Sequence, residues 1–280
     1  MPKVSTVAVA IAVISTVIGF GSRQPTAQAE VSTNNGGILA LVANGEDFVR
    51  QGFVSKDGWD ISFDRVYVNL AEANAYQVES GFEPTETSSI DKINYQKKVA
   101  FLETPTVIDL AAGEADAAPI LVNKATTDEG FYNAVGWKIV TAAEDSTIPG
   151  QTMVLQGKAT KDGQTIDFNL GFNRPIEYLC GEYVGDTRKG IVQVGETAEV
   201  EATFHFDHIF GDNDAPADDA LNVEALGFEP LANLASGNSL NLDESTMSDG
   251  LSPENYQKLT KAIAGLGHVG EGHCAVISNQ

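Results

Sequence analysis

The feature that most constrains the fold is an alternation of apolar and polar residues over 59–70, Trp-Asp-Ile-Ser-Phe-Asp-Arg-Val-Tyr-Val-Asn-Leu. A period of two with β-branched and aromatic residues is the signature of a half-buried strand. It places Ile61, Phe63, Arg65 and Tyr67 on one face, and Asp60, Ser62, Asp64, Val66 and Val68 on the other. Lys56-Asp57-Gly58 supplies a turn before it. Similar short runs recur at Ile38–Val42, in two stretches of Lys97–Leu110 split at Pro105, and at Asn133–Thr141. Met153–Lys158 and Thr165–Leu170 flank Lys161-Asp162-Gly163-Gln164, a hairpin with an Asp-Gly turn. Ile191–Val194 and Ala198–Ile209 flank Gly195-Glu196 and read as a second hairpin. Short strands separated by regular turns predict a mostly β fold, an antiparallel β-sandwich.

Helix signals are confined to the C-terminal region. Ser252 is a cap, Pro253 suits the first helical position and Glu254 the positive end, so a helix is expected to Ala264. Gly265 and Gly267 stop it. The stretch Gly211–Leu251, rich in Asp, Asn, Ala, Ser and Gly, reads as a long, partly ordered insertion. Gly81-Phe82-Glu83-Pro84 returns at residues 227–230, and Asn94-Tyr95-Gln96-Lys97 at 255–258, which raises a duplicated sub-structure as an expectation. Trp59 and Trp137 read as core residues in preference to a carbohydrate-stacking face.

The chain begins with Lys3, the apolar run Val4–Phe20 and then Ala27-Gln28-Ala29. A basic start, a short apolar stretch and small residues at a cut site describe a cleavable secretory signal, residues 1–29, cut before Glu30. The run falls short of the roughly 20 apolar residues of a comfortable span. The expected location is therefore the periplasm or the extracellular space, with no stable membrane span once the signal is removed. The remaining chain divides into a body, 30–210, and a loop and helix region, 211–280, packed on it.

The 280 residues carry a formal charge of −22, with 39 acidic against 17 basic side chains. Such a surface repels nucleic acid and anionic lipid, and favours a cation or a basic protein as partner. Cys180 and Cys274 are the only cysteines. In an oxidising compartment they are expected to form a disulfide, which typically contributes about 2–4 kcal/mol. The alternative is a Cys274 thiolate ligating a metal beside His273.

One constellation carries chemistry. All four histidines lie after residue 204: His205 and His208 in Phe-His-Phe-Asp-His, His268 and His273 in a pliable Gly/His loop. Imidazole and carboxylate are ligands for zinc, copper and related ions. His205, His208, His268 and His273, with Asp207 as ligand or orienter, form a candidate site for zinc or copper. On a continuous strand His208 would face away from His205, and a bulge or the end of the strand after Asp207 is expected to bring it round. If His205 and the Gly/His loop lay more than about 10 Å apart, bonds near 2 Å would be out of reach. Asp212, Asp214, Asp218 and Asp219 make calcium a further candidate, although Pro216 breaks the EF-hand spacing.

His205-x-Asp207-His208 matches half of the metallo-β-lactamase motif, but Thr203 stands where its first histidine belongs and too little chain follows, so that family is excluded. No serine-nucleophile elbow, phosphate loop or dinucleotide fingerprint is present. The reading is an exported metal-binding protein that buffers, delivers or senses the ion, more a binder than an enzyme. A metal-free surface interaction module and a zinc-dependent hydrolase or lyase are the alternatives.

The order strand, Asn133-Ala-Val-Gly-Trp137, hairpin, then Gly195 to Asp207 resembles secreted bacterial β-sandwich domains of uncharacterised function, over about Ile38–Ile209. The resemblance implies a sandwich and no particular activity. The Gly/His tail lies outside it.

Overall fold

A computed structural model describes residues 36–86 and 90–277. The secretory signal expected over 1–29 lies outside the described residues. Strand β1 (Gly36–Asn44) leads through helix α1 (Glu46–Gln51) and β2 (Phe53–Val54) into the 19-residue β3 (Asp60–Val78). Strands β4 (Tyr95–Ala100), β5 (Thr106–Asp109), β6 (Ile120–Asp128), β7 (Gly130–Phe131) and β8 (Ala134–Ile139) follow. Next come β9 (Met153–Lys161), β10 (Gln164–Phe172), β11 (Ile176–Cys180), β12 (Ile191–Val192) and β13 (Thr197–Phe204). The remainder holds α2 (Asp207–Phe210), α3 (Ala220–Glu224), α4 (Glu229–Ala232), β14 (Ser239–Leu242), α5 (Glu244–Gly250) and α6 (Pro253–Ala264). It closes with β15 (Gly267–Val269), β16 (Gly272–His273) and β17 (Ala275–Val276).

The fold is mostly β, as the alternation requires. One sheet runs β16-β15-β13-β1-β6; a larger one runs β14-β10-β9-β3-β8-β11-β17, with β2, β4 and β5 also on β3. They share one core. Trp137 of the larger sheet meets Phe204 of the smaller, ring centroids 6.1 Å apart, and both are fully buried. Trp59 is buried too, against Phe228, so both tryptophans serve the core.

Several expectations are realised locally. Asp162 and Gly163 take φ values of 51° and 81°, the left-handed pair that a two-residue hairpin turn needs, and join β9 to β10 in register. Ser252 accepts from the Asn255 N–H and starts α6.

Others are corrected. The alternation of β3 does not keep its faces: a register shift between Phe63 and Arg65 in the pairing with β9 leaves Ile61, Val66, Val68 and Leu70 all buried. One extra residue exchanges the two faces beyond it. The second hairpin does not form. Ile191–Val192 pairs with Gly130–Phe131, while β13 lies parallel to β1, Leu41 opposite Val200. Residues 211–251 are built into the body by three short helices and by β14, which pairs parallel with β10. The recurring fragments do not mark a duplication: Tyr95 lies in a strand and Tyr256 in α6.

Cys180 and Cys274 form a disulfide, which removes Cys274 from the candidate ligands. Among the described residues no helix is long and apolar enough to cross a membrane.

Candidate metal centre

The histidines meet because β13 stops early. Phe204 is the last strand residue, and the His205 N–H donates to the carbonyl of Leu266 at 3.1 Å. Phe206 turns into the core, and the chain winds into α2, with the His208 N–H donating to the carbonyl of His205 at 3.3 Å. Winding in place of extension returns His208 to the side of His205, and this comes before Asp207, not after it.

The second pair arrives on a hairpin. Thr203 of β13 is opposite His268 of β15, and His268 is opposite His273 of β16. Directly opposed residues share a face and approach closely. The turn depends on Gly270, at φ 59°, where a Cβ would stand 2.0 Å from the carbonyl oxygen of Val184. The hydroxyl of Thr203 accepts from the Gly270 N–H at 3.0 Å and holds the turn against β13.

Donor atoms of His205, His208 and His268 all lie within 4.8 Å of one another. Ring centroids are 4.1 Å apart for His205 and His268, which stack, 5.0 Å for His208 and His268, and 5.9 Å for His205 and His208. These separations are well inside the distance at which a shared ion becomes unreachable. Metal–nitrogen bonds of about 2.0–2.1 Å put tetrahedral donors roughly 3.3 Å apart, so side-chain rotation closes the set.

Each imidazole is in a different environment. His268 is 1% exposed, and its Nδ1 lies 3.1 Å from the carbonyl of Leu266. A carbonyl only accepts, so Nδ1 carries the proton and Nε2 keeps its lone pair for an ion. Burial first, then the neighbouring His205, push the His268 pKa down to about 3. Burial also lowers His208, against the pull of Asp207. These two rings are therefore held neutral, the form that ligates. His205 is 8% exposed and its Nε2 makes no hydrogen bond. A buried nitrogen without a partner is costly, and coordination removes that cost.

Asp207 and His273 stand outside the converging set. The Asp207 carboxyl is raised by burial, opposed by His205 and His208, and its Oδ1 has no hydrogen-bond partner. A cation on the imidazoles would favour its ionised form. His273 is exposed, its ring centroid 4.4 Å from that of His268 and 5.8 Å from that of His208. It borders a cavity of about 350 Å³ lined by His208, Leu221, Glu224, Lys261 and Ala262. The cavity gives the cluster a path to solvent.

Sequence reasoning missed Glu46. It sits where β1 gives way to α1, at φ 59°, and Asn44 holds it by accepting from its N–H at 3.1 Å. The Asn44 amide also reaches Oε1 of Glu46 at 3.3 Å and Oε1 of Glu201 at 3.0 Å. Glu201 is buried and ion-paired with Lys189. Oε1 of Glu46 lies 3.9 Å from Nε2 of His205. Burial first, then Glu201 and Glu271, raise the Glu46 carboxyl to about 7. Folded protein therefore holds this proton more tightly than unfolded chain, and the stability linked to it is lost as pH rises from about 4.5 to about 7. In metal-free protein Glu46→Gln lacks this loss. Its thermal midpoint, measured across pH 4 to 8, is expected to gain on that of the unmodified protein as pH rises; parallel curves would contradict this.

In the acidic loop, Oδ1 of Asp212 accepts from the Asp214 N–H at 2.9 Å, and Asp219 caps α3 through the Leu221 N–H. These two carboxylates serve the turn and the helix.

Comparison with protein-family models, with curated proteins and with solved structures finds no match.

Proposed function

We propose that this chain is an exported transition-metal-binding protein that takes up zinc or copper through His205, His208 and His268, and buffers or delivers it. The observation that carries this reading is the convergence of three histidine donors within 4.8 Å, two of the rings almost fully buried. Structural hydrogen bonding would not need three imidazoles at one point, and a buried cluster that avoids protonation is suited to a cation. The disulfide and the leader-like start of the chain support export to an oxidising compartment. The exposed His273 at the cavity suits exchange: it can bind an arriving ion before the buried rings do, and release it last.

The test is metal content and affinity. Purified protein is expected to hold close to one equivalent of zinc or copper by elemental analysis, and a His268→Ala/His273→Ala variant to hold almost none. A protein that folds and takes up neither ion would refute the proposal.

A further inference from the structure

We infer that Glu46 is a fourth ligand of the same ion, so that the centre is three imidazoles and one carboxylate, built for a divalent cation over monovalent copper. This rests on the metal-binding reading above and gives it a substrate class. The argument starts from a distance. Nε2 of His205, buried and without a hydrogen bond, stands 3.9 Å from Oε1 of Glu46. That is too long for a hydrogen bond and within the span of two bonds of about 2.0–2.2 Å to a common ion.

The local structure holds the carboxylate there at a cost. Glu46 takes a positive φ of 59°, where a side chain is strained by roughly 1 kcal/mol or more. Asn44 fixes both its backbone N–H and its carboxylate. The neighbouring acids are differently placed. Glu201 is taken by Lys189, Asn44 and the Thr203 hydroxyl. Glu271 is on the exposed turn between β15 and β16. Asp207, a buried carboxyl beside His205 and His208, has an unpartnered oxygen; Glu46 is the carboxylate whose oxygen stands opposite the unbonded Nε2 of His205.

The donor set then decides the class of ion. Carboxylate and imidazole suit divalent zinc, copper, nickel, iron or manganese, whereas monovalent copper is selected by thiolate and thioether sulfur. Both cysteines are in the disulfide, so no thiolate is offered.

The experiment compares unmodified protein, Glu46→Gln and His268→Ala, each confirmed as folded by circular dichroism. Zn²⁺ affinity is read by competition titration, Co²⁺ binding by its visible absorption, and Cu⁺ affinity anaerobically. Glu46→Gln is expected to weaken Zn²⁺ by about tenfold or more and to change the Co²⁺ spectrum, because an oxygen donor is lost. Cu⁺ affinity should stay within about twofold, since sulfur-preferring copper gains little from that oxygen. If Glu46→Gln binds Zn²⁺ and Co²⁺ as the unmodified protein does, while His268→Ala has lost them, Glu46 is not a ligand and the histidine site stands. If Cu⁺ weakens as much as Zn²⁺, the divalent selection is overturned. If the unmodified protein binds none of these ions, the metal-binding proposal itself fails.

Discussion

His268→Ala is expected to lower zinc affinity by more than about 100-fold, because loss of a ligand should exceed the 10–100-fold that follows loss of an outer-shell partner. His268 is the hinge of the cluster: its ring is the one nearest to both His205 and His208, and it also faces His273. Its tautomer is set by Leu266, so its Nε2 needs no rearrangement before binding. His273→Ala is expected to cost much less, about tenfold at most, because an exposed ring contributes at the entrance and water can replace it. Stability gives a second readout. Zinc at 1,000 times its dissociation constant stabilises the folded state by about 4 kcal/mol, and a variant that does not bind loses that increment. Competition titration and thermal unfolding with and without zinc check both. A His268→Ala protein that keeps full affinity would place the ion elsewhere.

What the sequence made legible was local. Ser252 and Pro253 fix the start of α6 within one turn of chain, and Asp162-Gly163 fixes a hairpin between adjacent strands. The Cys180–Cys274 pairing was legible from a count of two together with the oxidising compartment that the start of the chain suggests. The errors are non-local. Pairing of β13 with β1 joins residues about 160 apart in sequence, as Leu41 and Val200 show, and no feature of Gly195-Glu196 reveals that the turn feeds another partner. The face exchange in β3 depends on a bulge that the alternating residues do not announce. The site follows the same division. Four histidines stand out by rarity, whereas Glu46 is one of 39 acids, and only the fold shows that its oxygen faces His205. The ranking inside the cluster was also hidden: strand pairing buries His268 and leaves its partner His273 at the surface.

Removing the disulfide, as Cys180→Ala/Cys274→Ala, is expected to cost about 4–5 kcal/mol in metal-free protein, the chain-entropy value for a closed loop of roughly this length. The bridge spans 94 residues of sequence and includes β12, β13 and the whole helical region. It also fastens the metal hairpin, because Cys274 follows His273 directly and its N–H donates to the carbonyl of Gly267 at 3.1 Å. Without it, β16 and β17 are held by a few ladder hydrogen bonds, Tyr178 and Leu179 pairing with Val276 and Ala275. Bound metal is a second staple, since it ties His205 and His208 after β13 to His268 after α6. The ion binds the folded state, so it adds to stability in proportion to the logarithm of its affinity and leaves the unfolded chain unconstrained. The cost of losing the disulfide should therefore be at least as large with zinc bound as without it, and larger by whatever zinc affinity the loosened hairpin loses. Denaturant unfolding of both proteins, with and without zinc, measures this. A smaller cost with zinc bound would mean that the ion also ties these segments in the unfolded chain, and unchanged stability in both conditions would mean that β17 and the hairpin hold without the bridge.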